Sequence, residues 1–326
     1  MNETDGMAAP AGGELTPVLV TEKRIAANDV CVMRLALPNG PPMLPFTPGA
    51  HIPVRTPSGA MRTYSLANDP AERDHYEIGV KIEREGRGGS LSMAEKLDAG
   101  DMLEIGAPRN DFELVPAGRY LFIAGGIGIT PIMSMCRSLR RRGDVEFRLI
   151  YCTRSPAETA FLDVVGENWL AERTLLHHDR GDPAAIYDFW PELETADDRH
   201  VYCCGPKPML EDIRDMSGHW PVHQVHFEDF LPVVAVREGD REFTVELSRS
   251  GRVITIPADR SVLETLRDAG LDLRSSCESG TCGTCRTRVV SGEPEHRDLV
   301  LTDQERKNSM MICVSRARGG KLVLDL

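Results

Sequence analysis

The 326-residue chain is predicted to fold as a multidomain protein of three modules: a small antiparallel β-barrel, an α/β domain on a parallel sheet, and an α+β module closing on a cysteine-rich loop. Three observations predict this. The first hundred residues alternate short β-like runs with Pro- and Gly-rich turns, the next hundred alternate strands with helix-like stretches, and the last part carries four cysteines at a distinctive spacing. Length agrees, because at roughly 150 residues per domain the chain is too long for one small module.

Residues 1–14 are expected to form a disordered tail. In 15–116 the runs Val30–Leu37, His51–Arg55 and Tyr76–Ile82 are separated by turns such as PNGPP and FTPGA, the pattern of a small antiparallel barrel. In 117–230 the runs Tyr120–Ala124, Phe147–Cys152, Thr174–His178 and Val201–Cys204 alternate with helix-like stretches, the βαβ rhythm of a parallel nucleotide-binding sheet. The stretch 231–240, LPVVAVREGD, carries no motif and reads as a linker. The module 241–326 opens with a hairpin pattern, FTVELSRSGRVITI. It continues into a helix with the capping box Ser261-x-x-Glu264 and a stop at Gly270, and then enters the cysteine loop.

Composition narrows the function. Apolar residues make up 41% and charged residues 27%, so a packed core is within reach and a disordered chain is excluded. The net charge of −12 argues against nucleic acid, whose binding needs clustered Lys and Arg. The uncharged stretch Tyr120–Cys136 is interrupted by Gly125, Gly126, Gly128 and Pro131. It therefore reads as a buried strand, a turn and a helix start rather than a membrane span. The acidic N-terminus lacks a signal-peptide pattern, so a cytoplasmic protein is expected. Nine cysteines in such a chain argue against a disulfide framework.

Four of the nine need another explanation. Cys277, Cys282 and Cys285 lie in CESGTCGTC, and Cys313 follows after 27 further residues. This C-x4-C-x2-C…C spacing is that of the plant-type [2Fe–2S] site, in which four thiolates hold two irons. The last module is therefore expected to be an α+β plant-type ferredoxin domain. A structural zinc site is the competing reading, but such sites usually pair two short couplets, and Cys313 has no couplet partner. Gly280 and Gly283 let the loop turn tightly enough for N–H groups to face the sulfurs. Cys31, Cys136, Cys152 and Cys203 sit in apolar runs and read as core.

Two further groups of residues point to anions. Arg62-Thr63-Tyr64-Ser65 ends a barrel strand, and Gly88-Gly89-Ser90 follows the strand ending in Val80-Lys81. The arginine fork and a glycine turn opening a helix, capped by a box at Ser92-x-x-Glu95, would make a phosphate-binding corner. In AGGIGITP the glycines follow a strand, with Thr130 as expected N-cap and Pro131 at the first helical position. The turn Cys204-Gly205-Pro206 opens the last helix of the same sheet. Two glycine turns at strand C-terminal ends define the crevice where α/β sheets bind ligands. The histidines His177, His178, His219, His223 and His226 fall on three different elements and are not read as a metal site.

RTYS, GRGGS, AGGIGITP, CCGP and CESGTCGTC, in that order, resemble the phthalate dioxygenase reductase family of flavin- and iron–sulfur-containing oxygenase reductases, over nearly the whole chain from about residue 15. The resemblance implies a barrel that is a flavin domain, with Arg62, Thr63, Tyr64 and Ser65 contacting FMN and Gly88, Gly89 and Ser90 around its phosphate. It places Val80 and Lys81 along the isoalloxazine edge, and Thr130 and Phe230 beside the flavin. Gly125, Gly126, Thr130, Pro131, Cys204, Gly205 and Pro206 then flank the nicotinamide nucleotide. Ser65, Thr130 and Cys204 are the candidate catalytic residues, and Cys277, Cys282, Cys285 and Cys313 the iron ligands. FMN rather than FAD follows from the resemblance and not from any spacing.

The implied function is electron transfer from NADH through FMN to the [2Fe–2S] cluster and on to a Rieske-type aromatic-ring dioxygenase or demethylase. The chemistry is coherent: NADH yields two electrons as a hydride, a cluster takes one, and a flavin converts between them. A reductase for a haem monooxygenase and a redox-sensing binding protein are the alternatives. A sensor has no need of a hydride donor. Asp179, in LLHHDRGDP, is expected near the adenosine ribose, where a carboxylate favours NADH by repelling a 2′-phosphate. Arg154 and Arg180 argue the other way, and Asp179 is also an ordinary turn residue before Gly181.

Overall fold

The computed structural model describes residues 15–326 apart from 41, 87, 231–235, 238, 276–279, 281–282 and 299. The expected tail 1–14 lies outside the described residues. Two compact units are present, residues 15–230 and the segment from 231 onward.

The first unit begins with strands β1 (Thr16–Ala27), β2 (Val30–Ala36), β3 (His51–Arg55), β4 (Met61–Ser65), β5 (Tyr76–Lys81) and β6 (Met102–Ile105), with helix α1 (Gly89–Lys96) before β6. They form an antiparallel sheet in the order β4-β3-β6-β1-β2-β5, which a bridge between Leu66 and Ile78 curls toward closure. Alternate side chains of these strands, Val18 and Val20, Cys31, Met33 and Leu35, Ile52 and Val54, Ile78 and Val80, fill its interior. In β5 both faces are buried, from Tyr76 to Val80. The outward face is covered by the next domain, and Glu77 there is 1% exposed, held by Arg137 Nη1 at 2.7 Å.

That next domain is a parallel sheet of β7 (Arg119–Gly125), β8 (Glu146–Thr153), β9 (Thr174–His178), β10 (His200–Cys204) and β11 (Val225–Glu228), in the order β11-β10-β7-β8-β9. Helices α2 (Ile129–Arg142) and α6 (Lys207–Met216) follow β7 and β10, and short helices α3 (Leu162–Val165), α4 (Asn168–Ala171) and α5 (Trp190–Leu193) fill the other crossovers. The uncharged stretch from Tyr120 is thus a buried strand and the start of α2. No helix among the described residues is long and apolar enough to cross a membrane.

The second unit holds β12 (Phe243–Leu247), β13 (Val253–Ile256), α7 (Val262–Asp268), β14 (Arg286–Ser291), β15 (Pro294–Glu295), α8 (Asp303–Arg306), β16 (Ser309–Met311), β17 (Arg316–Ala317) and β18 (Lys321–Leu324). The five-stranded sheet runs β13-β12-β18-β14-β16, and β15 pairs with β17. The Ser261–Glu264 capping box opens α7, and Gly270 lies just beyond its end at φ 89°. Leu263, Leu266, Met310, Leu322 and Leu324 form the core with Cys285 and Cys313.

Candidate functional site

The barrel brings the two expected phosphate-binding segments together. A Cβ on Gly89 would lie 2.8 Å from Arg62 Nε, so the guanidinium of β4 lies over the first turn of α1. Gly88 at φ 76° starts that helix without a side-chain cap, so no side chain at that position takes the first-turn N–H groups, and they stay close to the arginine. The expected capping box at Ser92 is therefore wrong: Ser92 lies inside α1 and its Oγ donates back to the Gly89 carbonyl at 2.8 Å. A left-handed glycine lets the helix start one turn earlier than the box predicted. Ser90 Oγ accepts from the Glu83 N–H at 3.0 Å, which ties the turn to the end of β5. Tyr64 Oη is buried without a hydrogen-bond partner among the described residues, and burial pushes its phenol up, so it keeps a proton to donate. An arginine over a helix start and an unpaired buried hydroxyl are what a phosphorylated, polar-edged cofactor requires. The residues fit a flavin. Val80 lies fully within the barrel core, so it offers such a cofactor its main chain rather than its side chain. Lys81 is exposed and paired with Glu83 at 3.2 Å. Ser65 is 5% exposed at the end of β4.

The parallel sheet reverses its strand order between β7 and β10, and the expected crevice opens there. Gly125 ends β7 and Cys204 ends β10, side by side in a ladder that pairs Cys204 with Ala124. A Cβ on Gly125 would meet Pro206 Cδ at 2.5 Å, one on Gly128 would strike the Cys204 carbonyl, and one on Gly205 would lie 3.0 Å from Gly125 Cα. These glycines are spaces that let two turns touch. The N-cap expected at Thr130 is corrected, because the chain winds through a 3-10 turn at Gly126–Gly128 and α2 starts at Ile129 with Gly128 as its cap. Thr130 Oγ1 donates to the Ile127 carbonyl at 3.0 Å, and Pro131 is the third helical residue rather than the first. Cys204 is fully buried and burial pushes its thiol well up, with Glu228 adding to the effect. It presents a neutral thiol rather than a thiolate.

The barrel and the crevice meet at Gly79, where an added Cβ would lie 2.7 Å from Thr130 Cγ2. Sequence reasoning missed Gly79. Its signal is a glycine inside a strand, which marks close backbone approach. Phe230 is 37% exposed and lies two residues beyond β11, at the same end of the sheet.

In the second unit, β14 and β16 pair with Arg286 opposite Met311, so Cys285 and Cys313 stand at the same end of one ladder, each 3% exposed. Cys277 and Cys282 lie outside the described residues. Gly280, φ 77°, approaches the segment of Cys313, since a Cβ on it would lie 2.8 Å from Val314 Cγ2. Two thiols at the end of a ladder with a left-handed glycine close to one of their segments fit an iron–sulfur cluster.

The comparisons agree with this geometry. Residues 17–114 match the oxidoreductase FAD-binding domain, 122–215 the oxidoreductase NAD-binding domain and 245–318 the 2Fe-2S iron-sulfur cluster binding domain. The chain is 50% identical over 313 residues to the phthalate 4,5-dioxygenase oxygenase reductase subunit of Pseudomonas putida, covering 95% of this chain and 97% of that protein. It belongs to the phthalate dioxygenase reductase family. The solved structure of phthalate dioxygenase reductase superposes with a TM-score of 0.84 at 47% identity, over 96% of this chain and 98% of that one. A type IV self-sufficient cytochrome P450 monooxygenase superposes at 0.75 and 36% identity, over 96% of this chain and 41% of that one.

As a member of the phthalate dioxygenase reductase family, the chain is an NADH-dependent oxidoreductase with flavin, nicotinamide and [2Fe–2S] domains, passing electrons from NADH through the flavin to the cluster. Not every expected residue is drawn to its centre. Asp179 follows β9, two strands from β7 and so roughly 10 Å away at sheet spacing. Its Oδ1 accepts from the Gly181 N–H at 2.7 Å, the turn role open from the start. Arg180, φ 58°, and Arg154 flank it, joined by an N–H to carbonyl bond of 2.9 Å. The histidines have local partners: His177 Nε2 lies 2.7 Å from the Ala185 carbonyl and His178 Nδ1 2.9 Å from Thr153 Oγ1. His226 Nε2 lies 3.0 Å from Nδ1 of His200, and burial together with His200 and His223 pushes its ring down to about 4.

Proposed function

We propose that the chain is the reductase component that feeds a Rieske-type aromatic-ring dioxygenase or demethylase, with FMN as its flavin. The observation that carries this reading is the Gly79–Thr130 contact. It puts the strand leading to the phosphate corner against the helix of the nucleotide crevice, so a flavin ring and a nicotinamide ring can lie against each other without a side chain between them. The relatives named for phthalate oxygenase systems, alike over nearly their full length, supply the acceptor class.

In this reading 15–116 is the flavin domain, 117–230 the nucleotide domain, 231–240 the linker and 241–326 the ferredoxin domain. Arg62 and the start of α1 hold the phosphate, Thr63 and Ser65 line the same strand end, and the Tyr64 hydroxyl donates to the polar edge of the ring. Gly125, Gly126, Gly205 and Pro206 let the dinucleotide approach the backbone, while Thr130 and Pro131 hold the helix against β5. Phe230 covers the open side, Asp179 faces the ribose, and Cys277, Cys282, Cys285 and Cys313 ligate iron. A bound flavin takes a hydride as an electron pair and gives electrons up singly, which a one-electron cluster requires.

The likeness to a self-sufficient P450 favours one second reading, a haem monooxygenase as acceptor. One experiment separates them. The purified chain is reduced with NADH and mixed anaerobically with a phthalate dioxygenase oxygenase component or with a bacterial P450. Reduction of the Rieske centre at a rate well above that of the haem supports the proposal, and the reverse order overturns it. Chromatography of the released flavin decides between FMN and FAD.

A further inference from the structure

The ferredoxin unit contains a buried pair that the electron path does not use. After β15 the chain runs through His296, Arg297 and Asp298. The Asp298 side chain is fully buried, and His296 retains 17% exposure. Asp298 touches both cysteine-bearing segments. Its Oδ1 accepts from Ser315 Oγ at 3.4 Å, two residues beyond Cys313, and its Cα would lie 3.2 Å from a Cβ on Gly280, within the loop between Cys277 and Cys282. The carboxylate accepts the Leu301 N–H at 2.9 Å on Oδ2.

His296 completes the arrangement. Its Nε2 lies 3.2 Å from the Arg306 carbonyl, which can only accept, so Nε2 carries a hydrogen. Its Nδ1 is buried with no hydrogen-bond partner among the described residues and faces Asp298 Oδ1 at 3.5 Å. In the neutral ring a lone pair meets a carboxylate. With one more proton, Nδ1–H donates to it. The other charged groups around the ring do not fill the place: Arg306 Nη2 stands 3.6 Å from Oδ2, on the other carboxylate oxygen, and Arg297 turns away to Asp240 at 2.6 Å and Glu295 at 2.9 Å.

We propose that His296 Nδ1 is a proton-binding site coupled to the redox state of the [2Fe–2S] cluster, with Asp298 as the group that transmits the coupling. The inference rests on the cluster sitting on the four assigned cysteines. One electron delivered from the flavin adds a negative charge to the cluster, and Asp298 touches the segments that carry its assigned cysteines. One proton then passes from water to Nδ1, forming the Nδ1–H···Oδ1 bond, and both leave when the electron moves on to the acceptor. Within a poorly screened interior the two charges attract strongly.

The test is a potentiometric titration of the full chain between pH 6 and 9, followed by the low-temperature EPR signal of the reduced cluster. The midpoint is expected to fall as pH rises, by at most about 59 mV per unit, the one-electron equivalent of a tenfold change in proton concentration. In His296→Gln the fall should vanish while the EPR line shape persists. Asp298→Asn, which removes the proton's partner, should also flatten it. A wild-type midpoint independent of pH overturns the proposal whatever the variants do, and so does a slope retained in His296→Gln. A chain with no [2Fe–2S] signal at all would refute the seating of the cluster as well, an outcome distinct from a flat titration.

Discussion

Replacing Gly128 by alanine tests the crevice at its tightest point. The glycine has φ −61°, a conformation alanine adopts freely, so backbone strain is not at issue. Space is. The new Cβ would strike the Cys204 carbonyl, lying 2.5 Å from its carbon and 2.9 Å from Gly205 N. These are main-chain atoms at the end of a strand paired on both sides, with Ala124 and with Glu228, and they cannot rotate away. Restoring ordinary contact at about 3.5 Å requires the two turns to part by about 1 Å. Overpacking of that size costs about 1–3 kcal/mol, and a reactant displaced by about 1 Å can lose on the order of a hundredfold in rate. The assay is the stopped-flow rate of flavin reduction by NADH, with thermal unfolding alongside. Gly143→Ala is the control: at the far end of α2, with φ 75° and nothing within 4 Å of an added Cβ, it adds roughly 1–2 kcal/mol of strain but pushes nothing apart in the crevice. We expect Gly128→Ala to lose far more rate than Gly143→Ala at similar stability. Wild-type reduction kinetics in Gly128→Ala, or equal losses in both variants, would refute the reasoning.

Cys313→Ser should remove the [2Fe–2S] absorption and EPR signals while flavin reduction by NADH persists, because the flavin site uses other segments; a normal cluster signal would remove Cys313 from the ligand set. With Arg62 on the flavin phosphate as proposed, Arg62→Ala should cost a charge-assisted contact of about 2 kcal/mol, a weakening of roughly thirtyfold, read as flavin content after dilution. Stoichiometric retention would count against it. Asp179→Ser should narrow the preference for NADH over NADPH in kcat/KM, and an unchanged ratio would leave Asp179 as a turn residue alone. For His226 the ring is held down to about 4 from a normal 6.5 by burial and its histidine neighbours. The unfolded chain therefore binds the proton first, and stability present above pH 6.5 is lost as pH falls toward 4. Partial solvent exposure limits the effect to about 1–2 kcal/mol, and urea unfolding of His226→Gln should show a shallower loss between pH 6.5 and 4.5.

The features legible in the sequence were those carried by neighbours along the chain. Strand period marked the barrel and the parallel sheet, turn chemistry marked Gly88, Gly125 and Gly205, and the spacing of Cys277, Cys282, Cys285 and Cys313 named the cluster. Such signals are local because a strand alternates every two residues, a turn spans four, and one loop delivers three of the four thiolates. The helix starts at Ser92 and Thr130 were misread for the same reason: each hydroxyl looked like a cap, while a glycine before it let the helix begin earlier. Only the tertiary structure could place Arg62 over Gly89, Gly79 against Thr130, Glu77 under Arg137 and His296 beside Asp298 and Gly280. Each of these joins residues on different elements, so their proximity depends on strand register and on which faces pack. The sequence by itself determined which chemistries this protein carries. The fold decided where they meet, because burial and close approach are properties of contacts between segments and not of any one segment.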